Sequence, residues 1–227
     1  MFLHIGHRGA AGYAPENTLA SFQKALDLNV DMIEFDVHKS KNGKIVVIHD
    51  DAVDKITNGS GKVGELTLKE LKKLDAGMGE RIPTLTEVLD LIDGKIKINI
   101  EIKARNATKG VVKIIEKYVQ RNYTYENFLV SSFDYRNLIK VRLLNSKIPL
   151  GIITKRKLIF LNLLFAQLIN AYSINILYTS VSEKIIKEAH ALGLKVFVWT
   201  VNKPRDIKRM KKLGVDGIFS NYPDRIK

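Results

Sequence analysis

The chain has 227 residues, 45% of them hydrophobic and 27% charged, and it has no cysteine. That is the make-up of a folded globular protein with a sizeable core, so disordered, collagen-like and low-complexity classes are excluded, as are disulfide frameworks, thiolate metal sites and a cysteine nucleophile. The net charge of +13 suits a phosphate-bearing partner, whether nucleic acid, an anionic membrane surface or a small phosphate ester, and does not choose among them.

The opening Met1-Phe2-Leu3-His4 lacks the basic and apolar regions of a secretory leader, and the longest apolar stretch, Leu158 to Ile169, is shorter than the ~20 residues that span a bilayer. A cytoplasmic protein is therefore expected. β-rich runs predict strands at Leu3–His7, Met32–Val37, Ile98–Lys103, Phe128–Ser132, Leu150–Thr154, Ile176–Thr179, Val196–Thr200 and Gly217–Ser220. Between them, helices are predicted at Glu16–Leu28, Leu85–Ile92, Lys109–Arg121, Asp134–Leu144, Lys157–Ala171, Ser182–Leu192 and Pro204–Leu213. Alternation of this kind predicts parallel strands with helical crossovers in an α/β fold. Eight strands predict a (β/α)8 TIM barrel as one domain over residues 1–227; a doubly wound open sheet is the alternative. The outer helix after the last strand is expected to be absent or one turn long.

One segment breaks the alternation. After Met32–Val37 the chain reads through Asn42-Gly43, a strong hairpin signal, into Ile45-Val46-Val47-Ile48-His49. A β-hairpin extension after the second strand is predicted, bringing His49 back beside Asp36 on the catalytic face of the barrel.

Glu34 and Asp36 are two apart on a strand, so they share a face, and Glu101 sits on another strand with Lys103 at i+2. Three strand-end carboxylates suit a hard cation such as Mg²⁺ or Ca²⁺; rim carboxylates paired with Lys and Arg would look the same. His7 and His49 are candidate acid–base groups, and Arg8 offers a planar fork for phosphate oxygens. Trp199 and Phe133 close strands and are candidate pocket walls. His4, His38 and His190 read as structural or solvated. Pro15-Glu16-Asn17-Thr18 reads, on spacing, as a helix start.

Taken in order, His7-Arg8-Gly9, Pro15-Glu16-Asn17-Thr18, Glu34-Phe35-Asp36-Val37, His49-Asp50, Ile82-Pro83-Thr84-Leu85, Asn99-Ile100-Glu101-Ile102-Lys103, Val198-Trp199-Thr200-Val201-Asn202 and Gly214 to Asp224 resemble the glycerophosphodiester phosphodiesterase family over essentially the whole chain. The resemblance implies a TIM-type barrel and a divalent cation held by Glu34, Asp36 and Glu101. It implies His7 and His49 as the acid–base pair, with Arg8 and Lys103 on the phosphate. The implied reaction cleaves deacylated phospholipids, such as glycerophosphocholine, into an alcohol and glycerol 3-phosphate. The stretch Asp50–Thr57 departs from the threonine-rich pattern of the family, Ile174–Ser180 lacks a histidine some relatives carry, and Asp51 to Arg81 is too short for the small domain others insert.

Two rivals are weighed. Phospholipase D-type cleavage of lysophospholipids would use the same groups. A non-catalytic nucleic-acid-binding role has only the positive charge behind it, and the dispersed lysines and arginines and the lack of a binding motif speak against it, so no nucleic-acid partner is expected. Lys155-Arg156-Lys157 with the ten apolar residues of the twelve in Leu158–Ile169 predicts a well-buried outer helix, with a homo-oligomer contact as one use of it, or else a peripheral membrane contact through Lys155–Ile169.

Overall fold

The computed structural model describes residues 2–155 and 159–226. Nine strands form one sheet: β1 (Leu3–His7), β2 (Met32–Lys39), β3 (Ile45–Val47), β4 (Lys97–Ile102), β5 (Phe128–Ser132), β6 (Leu150–Thr154), β7 (Ser173–Leu177), β8 (Lys195–Trp199) and β9 (Gly217–Ser220). Eight run parallel in the order β1-β9-β8-β7-β6-β5-β4-β2, and β1 also pairs with β2, so the sheet closes into the predicted barrel. β3 stands outside the ring, antiparallel to β2 with Val37 opposite Val47. The turn that returns it has Gly43 at φ 83°, where glycine carries no steric cost.

Helices α1 (Leu19–Asp27), α3 (Leu85–Ile92), α4 (Thr108–Val119), α5 (Tyr135–Leu144), α6 (Ile159–Leu168), α7 (Glu183–Ala191) and α8 (Pro204–Leu213) surround the barrel, and short α2 (Leu68–Leu71) lies in the loop after β3. Their starts follow local chemistry. Thr84 caps α3 in a reciprocal capping box with Glu87, Ser182 caps α7, and Pro204 opens α8. A single 3₁₀ turn, Pro223–Ile226, follows β9.

Period 2 along the strands divides the side chains in two. Ile33, Phe35, Ile98, Ile100, Val130, Ile152, Ile174 and Val196 point outward and join the helices in the main core. The inward positions low in the barrel, Leu3, Ile5, Met32, Leu129, Phe197 and Phe219, form a separate apolar plug. Above it, at the carboxyl ends of the strands, the inward positions become His7, Glu34, Asp36, Asn99, Glu101 and Asn175. A third cluster, Val46, Ile48, Val53, Val63, Leu71, Ala76 and Ile82, fixes the loop that carries His49.

Three expectations are corrected. β7 runs over Ser173–Leu177 rather than Ile176–Thr179, because Ser173 and Asn175 are polar yet face the barrel interior, where Ser173 donates to Asn175 Oδ1 at 2.9 Å. α1 begins at Leu19, not Glu16; Thr18 is its cap, and Asn17 at φ 60° cannot be helical. α6 is not well buried within the chain: Leu163 and Ala166 are covered, while Phe160 and Leu168 are 66% and 81% exposed. Arg156, Lys157 and Leu158 of the expected contact segment lie outside the described residues.

Asp216 ties the last two strands. Its carboxylate accepts from Lys195 Nζ at 2.9 Å and the Val196 N–H at 2.9 Å, with His190 Nε2 at 2.7 Å. Burial works against its charge, but the Val196 amide, Lys195 and His190 outweigh it and hold the carboxyl below its ordinary value. A depressed folded value adds stability that is fully present above the unfolded value of about 3.9 and is lost as pH falls through the folded one. Asp216→Asn is expected to cost about 1–3 kcal/mol at neutral pH. In thermal melts that deficit should shrink as the solution is acidified; a deficit constant with pH would contradict the assignment.

Candidate active site

The loop after β1 sets the first groups. Gly9, at φ 83°, packs against α1: a Cβ there would lie 2.4 Å from Ser21 Oγ and 2.7 Å from the Ser21 carbonyl. That close approach holds Arg8 at φ 51° over the barrel mouth, its N–H donating to Glu34 Oε2 at 3.0 Å. The Arg8 guanidinium reaches Glu16 Oε1 at 2.8 Å and lies 3.3 Å from Asp36 Oδ2.

Glu34 and Asp36 on β2 meet Glu101 on β4. The three are 4%, 1% and 9% exposed, and one oxygen of each lies within 4.8 Å of the others. Asp36 opposes Glu101 directly in the strand register. Asn17 Nδ2 donates to Asp36 Oδ2 at 3.1 Å. Lys103 Nζ donates to Glu101 Oε1 at 2.9 Å and to His49 Nε2 at 3.1 Å, and lies 3.6 Å from Asp36 Oδ1.

Two cations cannot satisfy three buried carboxylates. Burial, then the charges of Asp36 and Glu101, push the Glu34 carboxyl well above its ordinary range. Burial and Asp36 push Glu101 up to about 7 against the pull of Lys103. Asp36 is the exception: burial raises it, yet Arg8 and Lys103 outweigh burial and keep it below its ordinary value. An all-oxygen, anionic, closely spaced set that is short of positive charge fits a hard divalent cation.

His7 and His49 are each held through Nδ1. His7 Nδ1 lies 2.6 Å from Asn221 Oδ1, an acceptor, so Nδ1 carries the proton and Nε2, 3.5 Å from Thr200 Oγ1, is bare. Burial first, and then the Arg8 charge, lower the His7 imidazole to about 4. His49 Nδ1 faces the Asp50 carboxylate at 2.7 Å, which Lys55 Nζ meets from the far side at 3.0 Å. His38, read as structural, donates from Nε2 to the His49 carbonyl at 3.0 Å and so steadies the loop.

A cavity opens above these groups. His7, Arg8, Glu34, His49, Glu101 and Lys103 line it, and so do Phe133 and Trp199, whose rings meet edge to face at 5.6 Å. Asp36 sits beneath, in the same carboxylate cluster. The structure thus brings together every residue singled out for the site. Sequence reasoning missed the supports: Glu16, Asn17, Asp50, Asn221, and Asn175, whose buried Nδ2 has no protein partner. Adjacency to His49 was a signal for Asp50. Asn221 stands in the resembling stretch Gly214 to Asp224, but nothing local paired it with His7, 214 positions away.

A barrel that collects two imidazoles, two cations and three carboxylates at the carboxyl end of its strands has the architecture of a barrel hydrolase. Comparison with known proteins narrows the class. The chain belongs to the glycerophosphoryl diester phosphodiesterase family, whose pattern matches residues 7–225. It is 41% identical to YhdW of Bacillus subtilis (98% of this chain, 95% of that one). It is 38% identical to the glycerophosphodiester phosphodiesterase of Caldanaerobacter subterraneus (99% and 96%). Its fold matches the phosphodiesterase of Oleispira antarctica, solved with the product sn-glycerol-3-phosphate, with a TM-score of 0.89 at 29% identity over 98% of this chain and 94% of that one.

Proposed function

We propose that the enzyme hydrolyses small glycerophosphodiesters to an alcohol and glycerol 3-phosphate, with His7 as general base and His49 as general acid. The observation that supports the division of labour is the difference between the two Nδ1 anchors. His7 is held by a neutral amide beside Arg8, which favours the uncharged ring with a bare Nε2. His49 is held by the Asp50 carboxylate, the one of the two anchors that can balance positive charge on the ring while Nε2 carries the proton to be delivered, a state in which Lys103 leaves Nε2 and turns to the phosphate.

In this reading Arg8 and Lys103 bind the phosphate oxygens. His7 takes the proton from the glycerol hydroxyl next to the phosphorus, or from water. The new O–P bond forms as the P–O bond to the alcohol breaks, and His49 gives its proton to the leaving oxygen. If the glycerol hydroxyl attacks, the product is a cyclic phosphate, and water opens it with the proton flow reversed. Glu34, Asp36 and Glu101 would hold Mg²⁺ or Ca²⁺, which when bound adds positive charge opposite the phosphate as negative charge builds. Phe133 and Trp199 form an apolar wall, and Asn175 Nδ2 is a free donor for a substrate hydroxyl.

The small diester is favoured over a lysophospholipid because six charged or titratable side chains line the cavity and no described residue of 159–165 reaches it. The test is glycerol 3-phosphate release from glycerophosphocholine with Mg²⁺, with Ca²⁺ and with EDTA. Release that EDTA abolishes is expected. Choline release from lysophosphatidylcholine, with none from glycerophosphocholine, would overturn the substrate assignment.

A further inference from the structure

Among the described residues twelve large hydrophobic side chains are exposed, and eight of them fall between Ile139 and Tyr172. Phe160, Leu161, Leu164 and Leu168 recur on one side of α6, which has no charged residue over Ile159–Leu168. With about 100° per residue they occupy a single arc of about a quarter turn. On α5, Ile139 and Leu143 are exposed too. The two helices pack side by side: Tyr135 stacks on Phe165 with centroids 4.2 Å apart, and Arg142 donates to the carbonyls of Ile169 and Asn170 at 2.9 and 3.0 Å. Their outer faces form one wall of the barrel. It begins at the mouth of the site, since Phe133 just before α5 and Ile153 on β6 both line the cavity.

Charge chooses what covers this wall. From Tyr135 to Ser182 the sequence carries seven lysines and arginines and none of the chain's 24 acidic residues. Arg136, Lys147 and Lys155 are exposed, and Lys140 is half-buried. A second copy docked across a two-fold axis would set the wall against itself, like charge on like charge with no carboxylate to answer it. An anionic lipid surface answers both features: it takes apolar side chains into the head-group boundary and attracts the cations around them.

We propose that the α5–α6 wall is a peripheral docking surface for an anionic bilayer. It rests on the phosphodiesterase reading for its purpose, since deacylated phospholipids are released at such a surface and the wall places the mouth of the site there. No helix among the described residues is long and apolar enough to cross a membrane, so the contact lies on the surface.

The experiment is cosedimentation of the full chain with vesicles of phosphatidylcholine alone or mixed with phosphatidylglycerol, at low salt and at about 0.15 M. Binding to the mixed vesicles is expected to exceed binding to phosphatidylcholine by about tenfold at low salt and to weaken as salt rises. Leu164→Glu/Leu168→Glu, and separately Lys140→Glu/Lys147→Glu, are expected to weaken it by about tenfold each while leaving turnover of dissolved glycerophosphocholine unchanged. No sedimentation with either vesicle at low salt overturns the proposal. So does binding unchanged in both variants, or a dimer in light scattering that Leu168→Glu splits. Vesicle binding without glycerophosphocholine turnover would overturn the substrate assignment and leave the surface standing.

Discussion

His49→Ala is expected to lower kcat for glycerophosphocholine by about 10²–10⁴-fold, the usual worth of a positioned acid or base. The choline alkoxide is a poor leaving group and needs the proton His49 would supply. A glycerophosphodiester with a nitrophenyl leaving group needs none, because nitrophenolate is stable at neutral pH. His49→Ala should therefore recover most of its deficit on that substrate, whereas His7→Ala, lacking the base, should remain slow on both. Asp50→Asn should follow His49→Ala in pattern with a smaller loss, since it keeps a hydrogen-bonding side chain beside Nδ1 and removes only the negative charge that faces the ring. The reverse pattern, rescue of His7→Ala by the activated substrate, would exchange the two roles.

Asn221 and Asp50 also mark where the sequence stopped being legible. The barrel could be read because most of its outward strand positions are Ile and Val, and the hairpin because Asn42-Gly43 demands a tight return. The carboxylates could be read because period 2 places Glu34 and Asp36 on one face. β7 was misplaced for the opposite reason. Its inward residues, Ser173 and Asn175, lie where the barrel interior is polar, so they look like loop residues to any reading that equates interior with apolar. Asn17 was concealed by its neighbours: Pro15 and Thr18 announce a helix start, while Asn17 adopts a left-handed backbone and turns its amide to Asp36. Such a conformation costs free energy locally, and it persists because Asp36 and Arg8 determine its place. Partners joined only by barrel closure, such as His7 and Asn221, have no local pattern at all.

Glu34→Gln is expected to make the metal-free protein more stable and the enzyme inactive. In the absence of a cation, Glu34 is a buried carboxyl crowded by Asp36 and Glu101, and its charge is resisted by burial and by both neighbours. An amide removes that repulsion, fits the same space and still accepts from the Arg8 N–H. A gain of about 0.5–2 kcal/mol is the usual return from relieving such a functional site, or roughly 1–8 °C in melting temperature at this chain length. Asp36→Asn should do the reverse, because Asp36 is the buried carboxylate that Arg8 and Lys103 together hold charged, and removing it breaks that shared contact, leaving Arg8 to Glu16 and Lys103 to Glu101. A divalent cation should invert the first result. A ligand that binds only the folded state adds about 2.7 kcal/mol at a hundred times its Kd, and the glutamine variant would give up most of that gain. Melting temperatures measured in EDTA and in excess Mg²⁺ should therefore cross: Glu34→Gln above the unmodified protein in the first, below it in the second. Curves that keep the same order in both conditions would mean that the three carboxylates do not hold a cation together, and that their crowding is balanced by Arg8 and Lys103 alone.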